Sequence, residues 1–252
     1  MPKDWWKTFF EKDFAQLFLE RDPHEVEEAA DFLVKQLHVK KGDVVLDQCS
    51  GIGNISHALA RRGYRAIGVE QAGPYVQQAQ QAALHEGLDC RFYRGDALRF
   101  LPKKKVDAAF NWYTSFGYYL DDARNLAMLK KAFQSLKRGG WFALDFNNPL
   151  FIASNFESTR KYTKRIGGKT VRVIRKSWVD LEKGTLTSEW RYEFPGKPAR
   201  TRSGTTRLYL PTELKRLFLE AGFRDLRFFG GADGSKLTLE SPRCIVVARK
   251  PL

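Results

Sequence analysis

Short apolar runs alternate with longer amphipathic stretches along most of this chain. Residues 43–48, 65–70, 89–94, 106–111 and 141–146 are brief and rich in apolar and β-branched side chains, as strands buried on both faces are. Between them, 54–62, 74–86 and 122–136 repeat apolar positions with helical spacing. Pro74 stands where helices often begin, and Lys137-Arg138-Gly139-Gly140 supplies cations and glycine for a helix end. Strand alternating with helix predicts an α/β fold, a parallel sheet with helices on both faces. A helix at 211–221, closed by Gly222, and strands at 224–230 and 243–249 complete it.

Two segments break that rhythm. Residues 4–19 predict one amphipathic helix carrying Trp5, Trp6, Phe9, Phe10, Phe14 and Phe18, more aromatic surface than a solvated helix needs. It either packs onto the domain or covers a ligand as a lid, with a second helix following at 23–37. From 160 to 210 the period shifts to two: 169–179 and 185–194 read as strands, with turns at Gly167-Gly168 and Glu182-Lys183-Gly184. Trp190, Tyr192 and Phe194 share one face, and Glu189, Arg191 and Glu193 the other. The expected organisation is a helical cap or lid at 1–40, a parallel-sheet domain at 41–159 and 211–252, and an inserted antiparallel sheet at 160–210.

Candidate chemistry clusters at strand ends. The first strand ends in Asp47, followed by Cys49-Ser50-Gly51-Ile52-Gly53 and then a helix; the second ends in Glu70; the third leads into Gly95-Asp96-Ala97. Glycines at 51 and 53 let a ligand approach the backbone, and the helix N-terminus beyond favours negative groups. An acid at the tip of the second strand suits two ribose hydroxyls, so the ligand carries a nucleoside. The dinucleotide fingerprint needs a third glycine where Ser56 stands. Asp47 suits a positive charge near the turn.

On these residues the chain resembles class I S-adenosylmethionine-dependent methyltransferases. The resemblance implies a Rossmann-like sheet, S-adenosylmethionine as cofactor and S-adenosylhomocysteine as product. It places Asp47, Cys49, Gly51 and Gly53 in the first motif and Glu70 in the second, with Gln71 beside the adenosine. Asp96 would bind the adenine amino group, Ala97 and Leu98 would line the ring, and Asn111 and Trp112 would face donor and acceptor. Cys49 departs from the glycine common in the family; a small residue fits there. Tyr113-Thr114-Ser115-Phe116-Gly117-Tyr118-Tyr119 resembles the corresponding segment of small-molecule members such as sugar-amine and glycine N-methyltransferases, which also carry extra sheet before the last helix.

The expected reaction is methylation of nitrogen, oxygen or activated carbon on a small molecule. The sulfonium is already activated, so alignment carries most of the catalysis; Tyr113, Tyr118 and Asp145 are the candidate bases for an acceptor that needs one. Tyr118 and Tyr119 either touch substrate or pack. Trp6 and Phe10 would cover the acceptor. Arg172, Arg175, Arg191 and Arg207 of the insert would clamp a carboxylate or phosphate. Asp233 follows a strand in a glycine-rich loop at the pocket rim. His57 reads as structural, and no cluster has metal-ligand spacing.

Net charge is +14, and 160–210 holds fourteen Lys/Arg against four acids. That excess either steers acidic partners, an acidic small molecule or carrier protein, or solubilises a sheet face. RNA or tRNA methylation is the alternative the charge favours. Asn111-Trp112-Tyr113-Thr114 lacks the Pro-Pro pair of base-amino methyltransferases, and no cysteine between Cys90 and Cys244 offers the nucleophile for pyrimidine C5. A non-catalytic nucleoside-binding module and a nicotinamide oxidoreductase are further alternatives, the latter opposed by Ser56. Three scattered cysteines fit a reduced, cytoplasmic setting. A charged start without an apolar core predicts no signal peptide, and no run approaches membrane-spanning length.

Overall fold

The computed structural model describes residues 5–10 and 14–252. Positions 4 and 11–13 of the expected N-terminal helix lie outside the described residues. In place of one helix the chain forms a short α1 (Trp6–Phe9) and a π-helical turn (Ala15–Leu19). Phe10 ends α1 at φ −84°, ψ 86°. Tertiary aromatic contacts, rather than one helical stripe, set this path: Phe9 meets Trp190 at 5.2 Å, Phe10 stacks on Tyr118 at 5.8 Å, and Phe18 meets Tyr192 at 5.8 Å.

The chain continues through α2 (Pro23–Leu37), β1 (Val44–Gln48), α3 (Asn54–Arg61), β2 (Arg65–Glu70), α4 (Gly73–His85), β3 (Cys90–Arg94), β4 (Val106–Asn111), α5 (Asp122–Ser135) and β5 (Leu136–Asn147). After α6 (Pro149–Ser154) come β6 (Thr159–Ile166), β7 (Lys169–Asp180), β8 (Thr185–Glu193), β9 (Arg200–Arg207), α7 (Pro211–Glu220), β10 (Arg224–Phe229) and β11 (Arg243–Arg249). Asp22 caps α2 by accepting from the His24 N–H at 2.8 Å, and Asp121 and Asn148 cap α5 and α6 in the same way.

Seven strands form one sheet in the order β10-β11-β5-β4-β1-β2-β3. Its centre is parallel, with Val45 of β1 opposite both Ala66 and Ala108, while β11 runs antiparallel to β5. Central strands are apolar on both sides because helices cover both: α2 and α3 pack on one face through Phe32, Leu33, Ile55 and Leu59, and α5 and α7 on the other through Leu129, Leu214 and Phe218. This is the Rossmann-like fold of class I methyltransferases. Strand order reverses between β1 and β4, and a ligand crevice opens beyond the carboxyl ends of strands at such a reversal.

A second, four-stranded antiparallel sheet, β6-β7-β8-β9, is inserted between α6 and α7. Sequence reading missed its edge strands. β6 has Lys or Arg at four of its eight positions, little apolar signal, and is half-exposed or exposed throughout, and β9 is almost wholly polar. Charged, polar edges of this kind resist pairing with other sheets. One face of the insert packs Val171, Val173 and Tyr192 onto Leu17, Phe14 and Phe18. Trp5 donates its indole N–H to the Thr205 carbonyl at 2.9 Å, and a Cβ on Gly204 would lie 2.6 Å from the Trp5 ring. The N-terminal segment is thus held between the two sheets.

Candidate active site

The cofactor loop is fixed by backbone bonds. Cys49 and Ser50 N–H groups both donate to the Val69 carbonyl, at 2.9 and 3.0 Å, and Gly53 N–H closes on Ser50 O at 2.9 Å. Cys49, Gly51 and Gly53 have φ of +71°, +54° and +83°, which explains the glycines. At Gly51 an added Cβ would meet only Leu19, at 3.8 Å, leaving the backbone open to a ligand. Gly53 answers a packing need instead: a Cβ there would stand 2.7 Å from Phe92.

Three acids end the adjoining strands. Asp47 is 4% exposed and accepts from the Ser56 hydroxyl at 2.7 Å. Burial raises its pKa to about 7, against the lowering effect of Ser56, with a further rise from Glu70. The residue that breaks the dinucleotide fingerprint therefore has a function of its own, holding Asp47. Glu70 accepts from Gly51 N–H at 3.2 Å and Ala72 N–H at 2.8 Å; its pKa is raised by burial, which outweighs those bonds. Asp96 accepts from Leu98 N–H at 2.9 Å and from the Tyr119 hydroxyl at 3.4 Å.

These groups line one cavity of about 180 Å³, far larger than a packing defect in a close-packed interior. Asp47, Cys49, Gly51, Glu70, Gln71, Asp96, Ala97, Trp112, Tyr113, Tyr118 and Tyr119 all border it. Opposite them stand Trp6, Phe10, Phe14, Phe18, Leu19 and Arg21 of the N-terminal segment. Gly53 and Asn111 are set behind this lining; Asn111 is fully buried and its amide reaches Gln48 at 3.4 Å. The donor set fits S-adenosylmethionine: carboxylates for ribose hydroxyls, the adenine amino group and a positive centre, beside backbone that no Cβ obstructs.

Several expected residues are placed elsewhere. No residue of β6–β9 lines the cavity. Arg172 is exposed and pairs with Glu193 at 3.4 Å, and Arg191 pairs with the same carboxylate at 3.0 Å. Arg207 donates to Glu213 at 2.8 Å, to the Gly184 carbonyl at 3.1 Å and lies over Tyr209. It ties the insert to α5 and α7 and is not free to clamp a substrate. Asp233 lies away from the cavity, accepting from Ser235 N–H at 2.9 Å. Asp145 is no base: Arg243 binds both its oxygens, at 2.7 and 2.5 Å. His57 is structural, bonded to Ala79 O at 2.9 Å, with its pKa lowered mainly by burial. Among the described residues no group of His, Cys, Asp and Glu could hold a metal.

The Asp145–Arg243 pair has a different role, which the sequence hid because its partners are 98 residues apart. Tyr113 and Thr114 follow β4 with φ of +59° and +62°, a strained conformation for non-glycine residues. Asp145 accepts from Tyr113 N–H at 3.0 Å, and Arg243 donates to Thr114 Oγ1 at 2.8 Å and Asn147 Oδ1 at 2.6 Å. The clamp holds the strained pair so that Tyr113 faces the cavity.

Residues 45–140 match the family model described as a methyltransferase domain. This part of the chain is an S-adenosylmethionine-dependent methyltransferase domain. S-adenosylmethionine is the cofactor of that domain, and the three acids, Cys49 and Gly51 all fall within the matched span. The fold matches the CcbJ methyltransferase from Streptomyces caelestis with a TM-score of 0.83, at 18% identity over 98% of this chain and 99% of that one. It also matches SAM-bound CalS10 from Micromonospora echinaspora, an amino pentose methyltransferase involved in calicheamicin biosynthesis, with a TM-score of 0.73, at 19% identity over 96% and 98% of the two chains. By sequence the chain is 40% identical over 85 residues to the 23S rRNA (uracil(1939)-C(5))-methyltransferase RlmD of Alkalilimnicola ehrlichii. That match covers 33% of this chain and 18% of the relative, so the likeness is to one part of a longer enzyme.

Proposed function

We propose that this chain methylates a small molecule, at nitrogen, oxygen or activated carbon, inside the cavity between the cofactor loop and the N-terminal segment. The observation that carries this reading is the wall of Trp6, Phe10, Phe14 and Phe18 facing the cofactor residues. Such a wall suits a compact acceptor shut away from water.

When bound, S-adenosylmethionine supplies an activated methyl group on a sulfonium. Glu70 and Asp96 would hold the ribose and adenine, Gln71 and Ala97 would border them, and Asp47 would face the positive end. Burial raises the pKa of both Tyr113 and Tyr118. At neutral pH each is therefore a hydroxyl that orients an acceptor rather than a phenolate base. An amine acceptor enters as the free base and needs only alignment with the methyl group.

RNA methylation is the second reading, favoured by the ribosomal-RNA relative and the basic insert. Attack on uracil C5 requires a thiolate. Cys49, the one cysteine lining the cavity, has its pKa raised by burial and then by Glu70, Asp47 and Asp96, the opposite of an activated thiol. An acidic carrier protein and a cytoplasmic location belong to the proposal as well; among the described residues no helix is long and apolar enough to cross a membrane.

Calorimetric titration with S-adenosylmethionine, with NAD as control and Asp47→Ala and Glu70→Ala in parallel, tests the cofactor. Tritiated methyl transfer to amino sugars, amino acids and phenols, against ribosomal and transfer RNA, tests the acceptor. Turnover of small amines supports the reading. Transfer to RNA alone overturns it.

A further inference from the structure

The two faces of the inserted sheet differ in charge. Side-chain alternation and strand register put Asp180, Glu189 and Glu193, the acids of β6–β9, on the face turned away from the N-terminal segment. Arg172 and Arg191 stand on that face and pair with Glu193. The face that packs on Phe14, Leu17 and Phe18 carries Arg160, Lys164, Arg175, Arg200 and Arg202, and no acid of the sheet's own strands. Cations that only discourage edge pairing belong on a solvated face; these are on the inner one. Arg160 and Arg175 are direct partners across β6 and β7. Their Cβ atoms are therefore about 5 Å apart, where like charges destabilise a sheet. Glu157 accepts from Nε of Arg160 at 2.6 Å and leaves its two Nη groups available. Arg175 has neither a hydrogen bond nor an ion pair among the described residues, and its Nε is buried without a partner. Such a donor costs free energy, and a guanidinium has no acceptor capacity with which to turn elsewhere. Burial and then the Arg160 charge push the Arg175 pKa down. Tyr162 follows Arg160 on the same face, close enough that both guanidiniums counter the rise that burial gives its pKa.

We propose that Arg175, with Arg160 and the Tyr162 hydroxyl beside it, forms an oxyanion site on the inner face of the insert and takes a phosphate group, either free phosphate or one carried by the methyl acceptor. An oxyanion between the two guanidiniums replaces their repulsion by charge-assisted bonds and gives Nε of Arg175 its acceptor. Two cations and a hydroxyl match the double charge and three terminal oxygens of a phosphate monoester better than they match a single carboxylate. Tyr162 packs in the same cluster as Phe14 and Phe18, and both phenylalanines also line the cavity. The site therefore stands outside the methyl-transfer cavity, one layer of side chains from it. A phosphate bound there would anchor an acceptor by a part that is not methylated. The inference goes beyond the methyltransferase reading, because phosphate binding is measurable without cofactor.

The test compares the wild type, Arg175→Gln, Arg175→Lys and, as a control on the opposite face, Arg172→Gln, with inorganic phosphate and pyrophosphate as probes. Calorimetry and thermal melting are read without cofactor. The wild type and Arg172→Gln should bind a probe and melt higher in its presence. Arg175→Gln should bind it about tenfold or more weakly and lose the rise. Arg175→Lys keeps the charge without the fork and should recover only part. Without anion, Arg175→Gln should melt no lower than the wild type, because it removes a like-charge contact. Glucosamine 6-phosphate, phosphoserine and phenyl phosphate, each against its unphosphorylated parent in the complex with S-adenosylhomocysteine, separate the two sources. If the acceptor carries the phosphate, one of them binds more tightly than inorganic phosphate and loses that advantage in Arg175→Gln. If free phosphate is the ligand, none does. Probe binding unchanged in Arg175→Gln, or lost equally in Arg172→Gln, would reduce the effect to general surface charge and overturn the proposal. So would a wild type that binds neither phosphate nor pyrophosphate, or an Arg175→Gln that melts lower without anion and so marks Arg175 as a support of the sheet. Failure of the wild type to bind S-adenosylhomocysteine would instead overturn the methyltransferase reading and leave the phosphate result standing.

Discussion

Raising the pH from 5 to 8 should tighten S-adenosylmethionine through the ionisation of one residue, Asp47. Its pKa is about 7 in the empty protein, while the ligand it faces is positively charged and selects the ionised form. The apparent dissociation constant then scales as one plus ten to the power of the pKa minus the pH. Binding is weaker than its plateau by about twofold at pH 7, about tenfold at pH 6 and about a hundredfold at pH 5. Around pH 6 each bound cofactor should release nearly one proton. Calorimetry in two buffers of different ionisation enthalpy counts that proton directly. Asp47→Asn should bind weakly with no slope, whereas Glu70→Gln should keep the slope. The same shift has a stability side. With its unfolded pKa at 3.8 and its folded value near 7, Asp47 binds a proton more readily when folded. The empty protein therefore loses stability as pH rises from about 4 to about 7, by up to about 4 kcal/mol. Asp47→Asn should accordingly melt higher than wild type at pH 8 without ligand. An affinity flat from pH 5 to 8, or a slope retained in Asp47→Asn, would refute the assignment of charge at this site.

Three further outcomes follow from the geometry. Ser56→Ala removes the bond that lowers the Asp47 pKa, so the midpoint of that pH profile should move upward and binding at pH 7 should weaken. Arg243→Gln leaves Asp145 buried without its cation; denaturant unfolding should report a loss of about 3 kcal/mol or more, with altered Trp112 fluorescence as Tyr113 and Thr114 relax. Gly53→Ala imposes a Cβ 2.7 Å from Phe92 at a φ of +83°; it should lower the melting temperature, and a double variant with Phe92→Leu should recover part of the loss.

The parallel sheet and its acids were legible because each rests on a local signal. Strand-length runs mark β1 and β2, which carry Asp47 and Glu70 at their ends, and β3, which leads into Asp96, and topology alone brings the three together. What the sequence concealed depends on distant partners. Arg243 reads as one cation among many until β11 pairs with β5 and sets it beside Asp145 and Asn147. Arg21 reads as a residue between two helices until the chain folds it over Tyr113. Arg172 and Arg207 were expected at the cavity because charge and a presumed roof pointed there. The roof touches the N-terminal segment instead, and those arginines found carboxylates of their own. Residues 4–19 held enough aromatics to predict cover, but helical periodicity could not foresee that Phe9 and Phe18 turn to the insert while Phe10 turns to Tyr118.

The inserted sheet reaches the cavity wall through that segment, with Tyr192 against Phe18 and Gly204 beneath Trp5, and through Arg207, whose N–H donates to the Gly117 carbonyl at 2.7 Å. The aromatic wall of the cavity and the insert behind it are therefore a two-part unit. An engineer who transplants Thr159–Arg207 from another scaffold must refit the residues that meet it, Trp5, Phe9, Phe14, Leu17 and Phe18.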